Sequence, residues 1–361
     1  MKNVAKRFSI GERLGSVVYP ICAVVLALII GAVFISVMGF DWRFAYESLI
    51  SGAVGSKNAI AETLLKTTPL IFTGLSFAIG KRCGLINLGA DGQLYLGGLF
   101  AAIIGVSLPG LPMAIHLPLA LIAGAVGGGL LGLLTGWLKN RFGASELITG
   151  IMFNYVAIQL VSYFVTGPLK EAGGNVPQSD PVADSAQLPA ILPGTRLHAG
   201  FLLALLAILF YYIFLWKTAK GFSLRITGLN PGAAQYAGLN IKRNSLLSMF
   251  MAGAFAGLAG CCEILGVQLR LYQEFATDLG FDGIAVALLG NNNPVGIFLS
   301  ALLFGAMKNG SNRMQMAAQV PVSIIQIIQA LVILFVVGRV LFEVVPRLLR
   351  KKQGAAPQEG G

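Results

Sequence analysis

Charge is what this 361-residue chain has least of. Asp, Glu, Lys and Arg make up 11% of it, against roughly 25% in a soluble domain. That is too little to wet a globular surface, and it excludes a soluble enzyme or binding module. Histidine is almost missing, since His116 and His198 are the whole supply, and the four cysteines (Cys22, Cys83, Cys261 and Cys262) form no Cys-x-x-Cys pair. A metal cage, a disulfide framework and a nucleophile–base constellation therefore all lack their parts. A phosphate-binding loop is missing as well. The nearest approach is LSFAIGKR, where Leu75 stands in place of a required glycine and Arg82 in place of Ser or Thr. The chain is expected to bind no cofactor and to hydrolyse no ATP. Period-two alternation is absent too, which removes an outer-membrane barrel.

Long apolar runs are what the chain has. Runs of about 20 residues, the length of a bilayer core at 1.5 Å per residue, recur throughout. The expected fold is an all-α polytopic membrane protein of about ten transmembrane segments. They fall near 17–38, 60–80, 84–107, 117–138, 145–166, 199–216, 245–267, 279–290, 294–308 and 321–345. The segments 279–290 and 294–308 are too short to cross alone, so they are expected to be half-helices. The first run follows Lys2, Lys6, Arg7 and Arg13; it is too long for a signal peptide and ends without a small-x-small cleavage site, so it reads as a retained span.

This assigns residues 1–16 to a cytoplasmic N-terminal segment, 17–345 to one transmembrane domain, and 346–361 to a disordered cytoplasmic tail. Within the domain, 217–243 is a cytoplasmic connection and 167–198 a long outer loop, rich in Pro, Gly, Ser and Asp, that folds back. Charge agrees with both termini inside. Of the 26 lysines and arginines, only Arg43, Lys57, Lys66, Lys170, Arg196, Arg270, Lys308 and Arg313 lie off the connections assigned to the inner face, and Lys/Arg excess marks cytoplasmic loops. The net charge of +11 thus reflects orientation in a membrane, and no nucleic-acid partner is expected.

One short motif occurs twice. LGADGQLYLGG starts at Leu88 and LGFDGIAVALLG at Leu279, each beside an interrupted run. Paired, glycine-broken segments in corresponding positions of two related halves point to a transport pathway at the repeat interface. Backbone groups freed by such a break need protein partners or a water-filled cavity. Asn87, Asp91 and Asp282 are candidates to cap the breaks, and Asn293 with Pro294 reads as the start of a new helix. The candidate pathway residues are Asn87, Asp91, Gln93, Tyr95, Glu146, Asn154, Tyr155 and Asp282. Intramembrane carboxylates default to a functional role; capping and helix–helix hydrogen bonding are the competing role for each. A further stripe, Gly124, Gly128, Gly132 and Gly136, argues for close approach of another helix.

The connection KTAKGFSLRITGLNPGAAQYAGLNIKR holds NPGAAQYAG, which reads as a small helix capped by Asn230, started by Pro231 and ended by Gly238. So short a helix is unstable alone in water. Its exposed face should rest on a partner protein or on lipid headgroups, with Arg225 and the surrounding lysines on the same side.

At these residues the chain resembles a known family. RCGLINLGADGQLYLGG, SELITGIMFNY, GFSLRITGLNPGAAQYAGL and GFDGIAVALLGNNNPVG are similar to signatures of the inner-membrane permeases of ABC transporters for branched-chain amino acids, ribose and nucleosides. Within that group they are most like the nucleoside branch served by basic-membrane-protein-type lipoproteins. The similarity covers about 60–345. The resemblance implies a non-catalytic subunit of the bacterial cytoplasmic membrane that forms the pathway for nucleosides, purine nucleosides such as guanosine and inosine first. A simple sugar such as ribose is the alternative substrate. It also implies a second homologous permease, identical or distinct, an extracytoplasmic binding lipoprotein, and a partner ATPase that holds the ATP and Mg. Asn230 to Ala237 would be the coupling helix, with Arg225, Gly228, Asn230, Ala233, Ala234, Tyr236 and Gly238 as its motif residues. Gly232 departs from expectation, a better helix former being expected there. A different class, an ion-coupled secondary transporter using Asp91, Glu146, Glu263 and Asp282, is the competing reading of the same carboxylates.

Overall fold

The computed structural model describes residues 21–335, and every named element in them is a helix. The segments 1–16 and 346–361, and the outer parts of the runs 17–38 and 321–345, lie outside the described residues. In chain order the helices are α1 (Ile21–Val37), α2 (Trp42–Val54), α3 (Lys57–Arg82), α4 (Ala90–Ser107), α5 (Met113–Phe142), α6 (Glu146–Thr166), α7 (Gly200–Lys217), α8 (Ala219–Leu229), α9 (Pro231–Tyr236), α10 (Ile241–Cys262), α11 (Leu279–Leu289), α12 (Pro294–Ala318) and α13 (Val322–Phe335). α10 continues as a π-helical turn, Glu263–Gln268. Six are long and apolar enough to cross a membrane: α3, α4, α5, α6, α7, and α10 with its π turn.

Three differences from the apolar reading have physical reasons. α2 is a helix that the apolar runs do not mark, because Arg43, Glu47 and Ser48 interrupt its apolar residues. α4 starts at Ala90 rather than near 84, since residues 83–89 form an irregular turn. α12 spans 25 residues and is no half-length piece. Lys308, Asn309, Ser311, Asn312 and Arg313 end the apolar run without ending the helix. The polar atoms at its midpoint find partners: Lys308 pairs with Asp282, and Asn309 Nδ2 donates to the carbonyls of Gly52 (3.0 Å) and Ala59 (2.9 Å).

The described residues divide into two compact units, residues 50–310 and residues 21–49 with 311–335. In the second, Tyr46 donates its hydroxyl to the carbonyl of Leu28 at 2.6 Å, and a Cβ at Gly31 would strike Ile328 of α13.

The first unit is built round α3, α4, α5 and α10. α3 is the most enclosed, with 89% of its apolar window buried. The glycine stripe of α5 meets α10: a Cβ at Gly128 would strike the Gly253 carbonyl, one at Gly253 the Gly128 carbonyl, and one at Gly257 the Gly124 carbonyl. With no side chain between them the two backbones touch, which is how small residues let apolar helices associate. Cys261 fits the same seam, its Sγ lying where a Cβ on Gly124 would be.

Residues 167–199 fold back across the end of this bundle. Ser179 N–H donates to the Leu271 carbonyl at 3.0 Å, Val182 to Leu269 at 2.9 Å and Leu188 to Leu265 at 2.8 Å. Arg270 pairs with Glu171 at 2.8 Å, and that hydrogen bond holds the Glu171 carboxyl below its ordinary range. Here the chain meets the unwound stretch after α10, so two irregular segments satisfy each other's backbone groups.

Candidate translocation site

The turn between α3 and α4 is the first component. Gly84 adopts φ +80°, a left-handed conformation glycine takes without steric cost. Asn87 then braces the turn from inside. Its Oδ1 accepts from Gly89 N–H at 3.1 Å, its Nδ2 donates to Ser76 Oγ at 3.0 Å, and its amide pairs reciprocally with Gln93 at 2.7 and 3.0 Å. Both side chains are fully buried. The hydrogen-bonding groups of Asn87 and Gln93, expected on the pathway, face one another across the turn.

α4 opens on Gly89, which has no capping side chain. Asn154 of α6 supplies the missing contacts: its Oδ1 accepts from Gly92 N–H at 2.8 Å and its Nδ2 donates to the Leu88 carbonyl at 2.9 Å. The approach is possible because Gly89 meets Gly150 and Gly92 meets Asn154 at backbone distance, where Cβ atoms would come within 2.9 and 2.8 Å of the facing backbone.

The repeat now acquires a structural meaning. Asp91, in the first copy, accepts from Gly280 N–H at 2.7 Å, in the second copy. The residue just before α11, Asp278, makes no side-chain capping hydrogen bond and stands at φ +59°. The carboxylate of one copy thus serves the helix of the other, a charge-assisted hydrogen bond of about 1.5–3 kcal/mol. Gly280 lies against the start of α4, where a Cβ would strike Asp91 N–H. Asp282 does something different: it pairs with Lys308 of α12.

Where α4, α6 and the chain before α11 meet there is a cavity of about 260 Å³. Asp91, Tyr95, Asn154 and Tyr155 of the expected pathway set line it, with Ile151, Ile158, Glu274, Ala276, Thr277, Asp278 and Phe281. Asp91, Tyr95 and Asn154 form its buried wall, and Tyr155 (65% exposed) and Phe281 (44% exposed) flank its open side. Phe275 backs Tyr95, ring centroids 4.7 Å apart. Glu146 is not part of this wall; it pairs with Lys139 at 2.6 Å across the α5–α6 turn, where Gly143 takes φ +70°. Asp282 is absent from the lining as well, drawn toward α12 by Lys308.

Sequence reasoning missed Glu274 and Asp278. They sit in RLYQEFATD, which reads as a polar connection, and only tertiary folding puts them opposite Asp91. The one signal was the neighbouring repeat.

The 217–243 connection folds into two helices, α8 and α9, rather than one. Thr218 caps α8, accepting from Gly221 N–H at 3.0 Å. Asn230 caps α9, accepting from Ala233 N–H at 3.0 Å, with Pro231 at its first turn. Gly238, just beyond, takes φ +74°. Ala234 is buried, while Leu229 and Tyr236 are 82% and 97% exposed. Gly228 lies on the α3–α4 turn: a Cβ there would strike the Arg82 carbonyl. Arg82 and Arg225 both address the Trp216 ring, at 5.3 and 5.9 Å from its centroid. Arg82 Nη2 and the Tyr211 hydroxyl converge on the Asn292 carbonyl, each at 3.0 Å. That carbonyl belongs to the α11–α12 turn, where Asn291 and Asn292 are left-handed in succession. Trp216→Ala removes the face both guanidiniums use, about 0.5–1 kcal/mol each; the expected result is a lowered thermal midpoint that Trp216→Phe partly restores.

These features define a class first: a helical membrane transport component, with the starts of α4 and α11 meeting at one cavity. The chain belongs to the family described as "Branched-chain amino acid transport system / permease component", whose model matches residues 59–337. It is 39% identical over 345 residues to the guanosine ABC transporter permease protein NupP of Bacillus subtilis (strain 168), covering 94% of this chain and 99% of that one. It is 33% identical over 355 residues to the nucleoside ABC transporter permease protein NupB of Lactococcus lactis subsp. cremoris (strain MG1363), covering 96% and 97%. The glucose ABC transporter permease protein TsgB13 of Haloferax volcanii is 35% identical over 334 residues, covering 90% and 88%. The protein is an ABC permease component.

Proposed function

We propose that this chain forms the nucleoside pathway of an ATP-driven importer in the bacterial cytoplasmic membrane, with purine nucleosides such as guanosine as substrate. The observation that carries this is the cavity: carboxylates, a buried amide and exposed aromatic rings around about 260 Å³, just under the usual range of about 300–1,000 Å³ for small-molecule pockets. That size suits a nucleoside or monosaccharide in transit. The near-full-length likeness to guanosine and nucleoside permeases supports the nucleoside; the glucose permease keeps a sugar as the second reading.

In this reading the chain crosses the membrane about ten times, with both termini inside, and binds no nucleotide. A separate ATPase holds ATP and Mg. Leu229 and Tyr236, bare on the α8–α9 loop, are apolar surface that a docked ATPase would cover. A second homologous permease completes the pathway, and a binding lipoprotein delivers substrate from outside. ATP binding by the partner moves α9, and the permease pair alternates access around a weak site. Asp91 acts here as a structural acceptor for α11, and Glu146 and Asp282 are ion-paired, which argues against the ion-coupled alternative.

The test is uptake of labelled guanosine, inosine, ribose and glucose by cells carrying the whole transport system, with and without this chain. The expected result is guanosine uptake that depends on the chain, fails on ATP depletion and is not competed by either sugar. Chain-dependent sugar uptake instead would replace the substrate; uptake indifferent to ATP would remove the ABC mechanism.

A further inference from the structure

We infer that the corner where α7 turns into α8 binds the phosphate headgroup of an anionic phospholipid at Arg82 and Arg225, with the acyl chains along the exposed face of α7. This goes beyond the transport reading and does not depend on which substrate passes.

Three stretches of chain meet at this corner. Gly228 presses on the Arg82–Gly84 backbone, and Arg82 Nη2 and the Tyr211 hydroxyl both reach the Asn292 carbonyl. The stretches are 63–90, 185–262 and 283–342, and none contains an Asp or a Glu. Among the described residues the ion pairs are Lys139–Glu146, Arg196–Glu62, Arg270–Glu171 and Lys308–Asp282, so neither arginine has a carboxylate partner. Arg82 keeps a buried Nε without a hydrogen-bond partner. Arg225 is more exposed to this deficit: its Nε is also buried and unpartnered, and its guanidinium makes no hydrogen bond or ion pair among the described residues. A guanidinium holds five N–H donors and cannot be deprotonated in a protein. Partly burying such a cation costs free energy unless a strong acceptor compensates. The two like charges are also held to one Trp216 ring, at 5.3 and 5.9 Å from its centroid, and an anion beside both relieves their repulsion.

The surroundings select the kind of anion. Only 28% of the apolar window of α7 is buried. Leu202, Leu209 and Tyr212 are exposed on the face that ends at Trp216, at the spacing of one helix face. Tyr212 stacks on Trp216 at 5.8 Å, and paired aromatic rings of this kind mark headgroup depth in membrane proteins. Exposed Phe222, whose ring centroid is 5.9 Å from the Arg225 guanidinium, carries the apolar surface on to α8. A soluble anion would use the cations and leave this surface bare; a phospholipid uses both, its phosphate accepting from the guanidiniums and its chains covering the stripe. Basic pockets at the cytoplasmic ends of membrane helices take anionic headgroups in this way. An acidic face of the partner ATPase fits less well, because the bare Leu229 and Tyr236 offered to it lie beyond the far end of α8 from Trp216.

The experiment uses the assembled transporter in phosphatidylcholine nanodiscs doped with a phosphatidylglycerol that carries a diazirine near the top of one acyl chain. After photolysis the labelled peptides are mapped by mass spectrometry. Labelling is expected within 202–225 and should be competed by unlabelled phosphatidylglycerol. Added phosphatidylcholine should compete at least about tenfold less well, the loss expected from one charge-assisted hydrogen bond or more, and excess inorganic phosphate should not compete. Arg225→Gln should lower the labelling about tenfold. Arg225→Lys keeps the charge without the planar fork and should fall between the two. Arg141→Gln removes an equal charge from an exposed position at the end of α5, on the same end of the bundle, and should leave the labelling unchanged. Recovery of monodisperse complex is checked for each variant. A loss in Arg141→Gln equal to that in Arg225→Gln would mean diffuse attraction and no site. Competition by inorganic phosphate would mean a soluble-anion site, and labelling that appears only once the ATPase is stripped away would mean that the ATPase covers the arginines. Each of these, or labelling confined to other peptides, overturns the inference.

Discussion

Gly253→Leu is expected to leave no folded protein to recover, whereas Gly232→Ala is expected to be silent or mildly stabilising. Gly253 sits on the α5–α10 seam, where an added Cβ would strike the Gly128 carbonyl and come within 3.0 Å of Gly129 Cα. Extra methylenes in a packed core typically cost about 1–3 kcal/mol when side chains give way. Here the obstacle is a backbone inside a helix, which has no rotamer to change. A leucine would have to push α5 off α10 along the whole stripe, uncoupling Gly124, Gly128 and Gly132 together. Gly232 is also helical, but a Cβ there meets only Asn230 Oδ1, at 3.3 Å, and replacing a helical glycine with alanine gains about 1 kcal/mol in propensity. Recovery of monodisperse protein after detergent extraction reads both variants. Intact Gly253→Leu at wild-type yield would mean the helices can part there.

Asn154→Ala should give the second largest effect, and on stability before transport. The substitution leaves Gly92 N–H and the Leu88 carbonyl without partners, each an unsatisfied buried group of about 1–3 kcal/mol. A marked fall in thermal midpoint is expected, with uptake falling in parallel. Asp91→Asn should be milder than Asp91→Ala, because the amide oxygen can still accept from Gly280 N–H. The sequence reading expects both residues to slow uptake with assembly intact. Both wall the cavity and both also hold the helix breaks by hydrogen bonds, so stability and uptake are measured side by side. An unchanged midpoint with lost uptake in Asn154→Ala would restore the substrate role.

Local signals were legible in the sequence and pairwise ones were not. Asn230, Pro231 and Gly238 marked α9 because capping and turn chemistry act within a few residues. The doubled LGxDG marked both breaks, and the α5 stripe marked a close crossing. The identity of the crossing partner was hidden, since nothing local ties Gly128 to Gly253. For the same reason the pairing of Asn87 with Gln93 and of Glu146 with Lys139 could not be read locally, and α12 looked short when Lys308 and Asn309 are partnered mid-helix. Glu274 and Asp278 lay in an ordinary polar stretch. Their significance is set by which helices α11 starts beside, and only the folded chain decides that.

The seat of Gly228 on the Arg82–Gly84 backbone leaves no slack between two parts of the chain far apart in sequence. Gly228 lies at the same end of α8 as Asn230 and α9, so the α8–α9 corner and the α3–α4 turn meet backbone to backbone, with no side chain between them to give way. The same turn, a few residues on, carries Asn87, Gly89 and Asp91. A side chain at position 228 would therefore disturb both the corner and the turn that leads into α4.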